Sequence, residues 1–283
     1  MKIYQLKIYK MKMPEGIERY GQILDAALRI QLPDAASQTG SDEAADLPCW
    51  LDQVLDQLAE EPARHRIRVL ILTGIENLSR RLTTAEWTEF RRAISRLEDQ
   101  GRPTIAVIDG HAAGPACELA LACHWRIGTR RASFQESAAP ESRASIGIHP
   151  SAGHSGLRWA SRLTGIIGPT LTLELILTGR TLSSEEASSV GILQRQVESR
   201  DTALQLASQL AARLAAGAPL SIEWANEAVR RGAQLPLEAG LAVETGLFTR
   251  SVATPDAREG VRAFLEKRPP RFTGDQLSEP RPG

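Results

Sequence analysis

Two apolar runs constrain this chain most: "RVLILTG" (Arg68 to Gly74) and "TIAVIDG" (Thr104 to Gly110). Each is a short unbroken run with β-branched residues, closed by glycine. Such runs form strands covered on both faces, because an exposed face would demand alternating polar residues. Between them, Thr83 and Glu86 have the spacing of a capping box, and Trp87, Phe90, Ile94 and Leu97 make the buried stripe of the helix that follows. Upstream, Leu51, Val54, Leu55 and Leu58 recur at helical spacing. Downstream, "CELALACH" reads as a short helix and "WRIG" as a further short strand. Helix, buried strand, helix, buried strand is the order of βαβ units around a parallel sheet, so the fold class is α/β.

From about Gly165 the chain changes character. "LTLELILTG" is an apolar helix stopped by Gly179, Ser183 and Glu186 form a second capping box, and "ALQLASQLAARLAAG" is an amphipathic helix ended by Gly217. Two or three more helices run from Pro219 to Lys267, and "PLEAGLAVETGLFTRSV" and "REGVRAFLE" carry apolar faces wider than one core-facing stripe needs. The expected division is a β/α core over 1–195, a helical region over 196–270 and a flexible, proline-rich tail over 271–283.

Lys+Arg and Asp+Glu both number 34 in 283 residues, so no global field favours nucleic acid or an anionic membrane. No apolar stretch approaches the roughly 18 residues of a membrane span. "IYQLKIY" near the start alternates as an edge strand does, and "MKIYQLKIYK" lacks the apolar core of a signal peptide. "LPDAASQTGSDEAADLP" reads as a loop. Cys49, Cys117 and Cys123 form no CxxC and no even framework, which favours reduced thiols in a cytoplasmic setting, packed as small hydrophobes.

Several motifs fail on spacing. "GHSGL" offers Gly153 and Ser155, but Leu157 stands where a nucleophile elbow needs its second glycine. His149 and His154 with Glu136 and Glu141 match no metal-ligand pattern, so no metal is expected. "RHRIR" has no interleaved aromatics for stacking on nucleic acid.

The strand–glycine–helix unit "RPTIAVIDGHAAGPACELALACHWRIG" resembles the signature of the crotonase (enoyl-CoA hydratase/isomerase) superfamily, P-x-I-A-x-x-x-G-x-A-x-G-G-G-x-E-L-A. "WLDQVLDQLAEEPARHRIRVLILTG" is similar to the family's first long helix and second strand. "SIGIHPSAGHSGLRWASRLTG" is similar to its G-x-x-P-G-x-G-x-x-x-x-L-x-R-x-x-G segment, "LELILTGRTLSSEEASSVGILQRQV" to its next helix pair, and "REGVRAFLEKRPPRF" to its closing helix. The resemblance covers about residues 50 to 273. It implies a crotonase-like ββα spiral core with a helical C-terminal trimerisation region, and a homotrimer or hexamer.

The chemistry so implied is proton transfer by glutamates on an acyl-CoA or acyl-carrier thioester, through an enolate held by two backbone amides. Coenzyme A enters as part of the substrate, and no separate cofactor is implied. By motif position Glu118 is one catalytic glutamate; its plainer reading is an ordinary helix carboxylate. Gly114 and Pro115 fall on the oxyanion-hole segment, with Pro115 in place of the residue whose amide supplies one donor. The family's other donor comes from an F-[CS]-A-G-x-D loop, where this chain has "IENLSRRL". For the second glutamate, the Pro140–Glu141 pair selects Glu141, whereas counting from Phe134 lands on Ala138 and counting back from Pro150 on Arg143. Phe264 and Lys267 match the closing helix near coenzyme A, and Arg80 and Arg81 are candidates to pair its phosphates.

Three functions stay open at this point. One is hydratase/isomerase chemistry through Glu118 and Glu141, possible in secondary metabolism. A second is a non-catalytic accessory homologue partnering a polyketide or acyl-CoA enzyme. The third is hydrolase, decarboxylase or dehalogenase chemistry on the same fold. The missing A-G-x-D loop and "LTTAEWTEFRRAISRLE" resemble the hydratase-like proteins of dihydroxyphenylacetyl-CoA biosynthesis, which assist a type III polyketide synthase.

Overall fold

The computed structural model describes residues 21–24, 26–32, 47–59, 67–79, 82–135 and 158–275. In chain order the elements are β1 (Gly21–Leu24), β2 (Ala27–Gln31), α1 (Leu47–Ala59), β3 (Val69–Thr73), a 3-10 turn (Ile75–Leu78), α2 (Thr84–Asp99), β4 (Thr104–Ile108), β5 (His111–Ala113) and α3 (Pro115–Ala122). There follow β6 (Trp125–Thr129), β7 (Ser133–Gln135), α4 (Arg158–Ile167), α5 (Pro169–Thr178), β8 (Leu182–Ser183), α6 (Ser184–Ser189) and β9 (Arg195–Val197). Four helices close the chain: α7 (Arg200–Ala215), α8 (Pro219–Gly232), α9 (Leu237–Val252) and α10 (Pro255–Leu265). The strand expected in "IYQLKIY" lies outside the described residues.

The strands make two sheets. The larger has the order β1-β2-β3-β4-β6-β9, parallel apart from the β1–β2 hairpin. The smaller is β5-β7-β8, with β5 parallel and β8 antiparallel to β7. Each ββα step thus places one strand in each sheet: β4 then β5 leads into α3, and β6 then β7 follows.

The two apolar runs are β3 and β4, and every residue of both is buried. Period two sorts their side chains between two cores. Leu70, Leu72, Ala106 and Ile108 face the larger core with α1, α2 and α3, whereas Val69, Ile71, Ile105 and Val107 face α7. On α7 the contact is an alanine stripe, Ala203, Ala207, Ala211 and Ala215, spaced by four and buried. Methyl groups in that row let the helix axis approach the sheet closely.

Helix α7 covers the second face of the sheet, and the chain then continues into α8 at Pro219. There α8 and α9 share a small cluster of their own, Leu220, Trp224 and Leu247. Residues 272–274 are tied back to the fold. Asp256 is buried and accepts from the backbone amides of Thr273 (2.8 Å) and Gly274 (2.9 Å), while Arg68 donates to the Phe272 carbonyl at 2.7 Å. An unpaired buried carboxylate is costly, and these amides are what keep that segment in place.

Both capping boxes form. The Thr83 amide donates to the Glu86 carboxylate at 2.6 Å, and the Ser183 amide to Glu186 at 2.8 Å. The latter bond, with the Ser183 hydroxyl and then Arg180, holds Glu186 below the usual carboxylate range. Gly74 turns the chain out of β3 at φ 73°, and a Cβ there would stand 2.2 Å from the Gln31 amide nitrogen. Cys117 and Cys123 are buried outside any disulfide, and burial pushes the Cys123 thiol up to about 12. No described helix is long and apolar enough to cross a membrane.

Candidate active site

Helix α3 begins where the sequence turns from "HAAG" to "PACEL". Gly114 is its N-cap at φ 56°, ψ −118°, a conformation open to glycine and strained for other residues. The Gly114 amide donates to the Gln135 carbonyl at 3.2 Å, and its carbonyl accepts from the Glu118 amide at 3.0 Å. Pro115 occupies the first helical position. Proline suits that position because its missing N–H has no intrahelical partner, and its fixed φ is already helical. For an anion at the helix N-terminus the same residue is a loss. Ala116 and Cys117 are the remaining first-turn positions with amides.

The 3-10 turn after β3 closes against this junction. The Ser79 hydroxyl donates to the His111 carbonyl at 2.7 Å and accepts from the Ala113 amide at 3.0 Å. Ser79 therefore stitches the turn to β5, one residue before α3 is initiated.

Glu118 lies in the first turn of α3 and is 1% exposed. The helix dipole favours a carboxylate there. Its Oε1 accepts from Arg162 Nη1, on α4, at 3.1 Å. The rest of the Arg162 fork is held by Glu98 of α2: Nε to Oε1 and Nη2 to Oε2, both at 2.8 Å. Burial lowers the Arg162 guanidinium. The hydrogen bond and charge of Glu98, with the charge of Glu118, outweigh it and hold Arg162 above its ordinary value. Two carboxylates thus share one guanidinium, Glu118 buried and Glu98 partly exposed.

The far end of α3 is held by another buried cation. Arg126 of β6 donates to the carbonyls of Ala120 (3.2 Å), Cys123 and, across the chain, Ile192 (2.6 Å). Burial pulls its guanidinium down from the ordinary arginine range.

The structure thus brings Gly114, Pro115 and Glu118 together at one helix end. Phe264 and Lys267 sit elsewhere, at the close of α10. Phe264 is exposed, and Lys267 follows the helix C-cap at φ 53°. Its amide donates to Phe264 O and that of Arg268 to Ala263 O, the paired bonds of a Schellman turn whose left-handed position usually takes glycine. Arg80, Arg81 and Glu141 lie outside the described residues. Arg162, Glu98 and Ser79 were not singled out from the sequence. Arg162 is the arginine of the quoted L-x-R-x-x-G segment, so a signal existed, but nothing in that segment tells which carboxylates it meets.

A profile of the enoyl-CoA hydratase/isomerase family matches residues 51–276. The chain belongs to that family. It is 32% identical to the 2,3-dehydroadipyl-CoA hydratase of Escherichia coli over 79% of this chain and 88% of the relative. Identity to the short-chain-enoyl-CoA hydratase of Clostridium acetobutylicum is 27%, over 89% and 94%. Among solved structures, an enoyl-CoA hydratase from Bacillus anthracis superposes with a TM-score of 0.74 at 28% identity, covering 90% of this chain and 98% of that one. As a crotonase-fold protein, it has the two-sheet spiral whose ββα step delivers Glu118. Among the described residues no cluster of three or more His, Cys, Asp or Glu comes together as a metal site.

Proposed function

We propose that this protein binds an enoyl thioester of coenzyme A, or of an acyl carrier, and hydrates or isomerises it slowly, with Glu118 moving the proton. What carries the reading is a nearly dry carboxylate at a helix N-terminus, in the family position for that role. In hydration Glu118 takes the proton from water as its oxygen bonds to the β-carbon. The electron pair moves to the thioester oxygen, and a second acid, with Glu141 as the candidate, returns a proton at the α-carbon. The enolate oxygen is the weak point. Pro115 removes one amide donor, and the loss of one such donor costs about 3 kcal/mol of transition-state stabilisation.

The same proline favours a second reading: an accessory homologue that holds a thioester, or partners a polyketide or other acyl-CoA enzyme, without turning substrate over. Phe264 and Lys267, with Arg80 and Arg81, are the proposed nucleotide contacts in either case. Assembly into a trimer or a dimer of trimers is part of the proposal, built on residues beyond Pro219. Leu237, Leu241, Phe248 and Val252 of α9, and Val261, Phe264 and Leu265 of α10, are all exposed in the single chain.

The test is calorimetric titration of the pure protein with a panel of acyl-CoA thioesters, with products read by mass spectrometry. Binding with slow gain of one water by an unsaturated thioester is expected, in particles of three or six chains by light scattering. Binding without turnover would favour the accessory reading. No binding of any thioester, or a monomer across micromolar concentrations, would contradict the proposal.

A further inference from the structure

We propose that Arg162 and Glu98 act together as a positioning pair that fixes how Glu118 presents its carboxylate, an inference that rests on the proton-transfer role given to Glu118. An arginine meeting a carboxylate ordinarily engages it with two parallel bonds. Here Arg162 spends that bidentate grip on Glu98, with two contacts of 2.8 Å, and offers Glu118 its Nη1 at 3.1 Å. The consequence is chemical. A carboxylate gripped by an arginine at both oxygens is a poor base, whereas one that the arginine meets at Oε1 is oriented with Oε2 left outside the fork. Glu98 is what stops Arg162 from closing its fork over Glu118.

The geometry suits such a role. The three residues come from three elements, α2, α3 and α4, so the clamp is rigid only when those helices are docked. Arg162 is 15% exposed at its side chain and Glu98 26%, against 1% for Glu118. The charge therefore reaches the buried carboxylate from its more accessible side. Other groups bear on the same field. The elements packed against α3 carry Glu76 on the 3-10 turn and His111 on β5, and Arg126 caps the helix's far carbonyls. Glu98 also bears on His124, whose imidazole burial and then Arg126 hold below its ordinary value against the raising charge of Glu98.

The experiment is the pH dependence of kcat/KM for enoyl-CoA hydration by the full chain, wild type against Arg162→Gln, Arg162→Lys and Glu98→Gln. Activity needs Glu118 ionised, so it falls as pH drops through that group's pKa. Removing the cation in Arg162→Gln is expected to move this acidic limb up by about one pH unit or more. Arg162→Lys keeps the charge without the fork, so the limb should stay nearer wild type while kcat falls about tenfold with KM little changed. Glu98→Gln removes a like charge and frees the fork. Its acidic limb should move down, yet kcat should fall, the combination that separates positioning from charge alone. Superimposable profiles in all three variants, with only thermal stability altered, would overturn the proposal. If wild type shows no hydration, the functional reading fails by itself. The pair is then tested by carboxylate NMR titration of Glu118, assigned against Glu118→Gln, with the same directions expected and an unmoved titration as the contrary result. Should Arg162→Gln not fold, Arg162→Lys and Glu98→Gln carry the comparison.

Discussion

Replacing Glu118 with glutamine is expected to lower enoyl-CoA hydration at least about 100-fold while thioester affinity changes by no more than about threefold, since a positioned acid–base group commonly contributes 10²–10⁴. Glutamine is the informative substitution because its carbonyl oxygen can still accept from Arg162 at the position of Oε1. Size and orientation are preserved, and the ability to take a proton is removed. Binding should survive, because the energy that holds a coenzyme A thioester comes mainly from the nucleotide and pantetheine rather than from one carboxylate. Steady-state rates and calorimetric affinities of the two proteins, measured side by side, check both halves. Hydration retained within a few-fold would make Glu118 an ordinary buried helix carboxylate.

A second large effect is expected away from the chemistry. Arg126→Met should destabilise the protein by about 3 kcal/mol or more, measured as a shift in urea midpoint at constant slope. Methionine fills much of the aliphatic volume, but the carbonyls of Ala120, Cys123 and Ile192 then lose charged donors in a place water does not reach. Hydrogen bonds to charged groups contribute about 1.5–3 kcal/mol each. Even partial relaxation leaves a loss well above that of a surface change. The damage falls on the C-terminal end of α3, the helix whose other end carries Glu118, so activity should decline with stability. A change below about 1 kcal/mol would mean that the arginine's own desolvation cancels its bonds.

How much of this was legible in the sequence depends on the kind of interaction. β3 and β4 were readable because full burial leaves no charged residue in "VLILT" or "TIAVI" and confines the polar ones to Thr73 and Thr104 at the strand ends. The two capping boxes were readable because both partners lie within four residues. The short strands β5 and β9 were not: three residues carry no periodicity, and their pairing is decided by the sheet they join. The alanine stripe of α7 looked like an ordinary amphipathic helix, and only packing reveals that its small face covers the sheet. At the site, Glu118 and Pro115 were singled out through the resemblance of "HAAGPACELA" to the family motif, in which all the residues compared lie close in sequence. The Arg162–Glu98 clamp joins residues 64 apart in sequence, and no local pattern encodes such a pairing.

Pro115 is where the account stands or falls, and the variant Pro115→Gly isolates it. Glycine restores an amide at the first position of α3 and tolerates the existing backbone path. It also loosens the helix start, an effect of about 1 kcal/mol that works against any gain. A recovered donor has a ceiling near 3 kcal/mol, about a hundredfold in rate, so a net rise of about tenfold or more is the expected result. The measurement is the rate of crotonyl-CoA hydration by Pro115→Gly against wild type, repeated with Glu118→Gln added. A gain of about tenfold that the second substitution abolishes is the predicted outcome. No gain, with the thioester still bound, would contradict the claim that the missing amide at residue 115 is what limits this site.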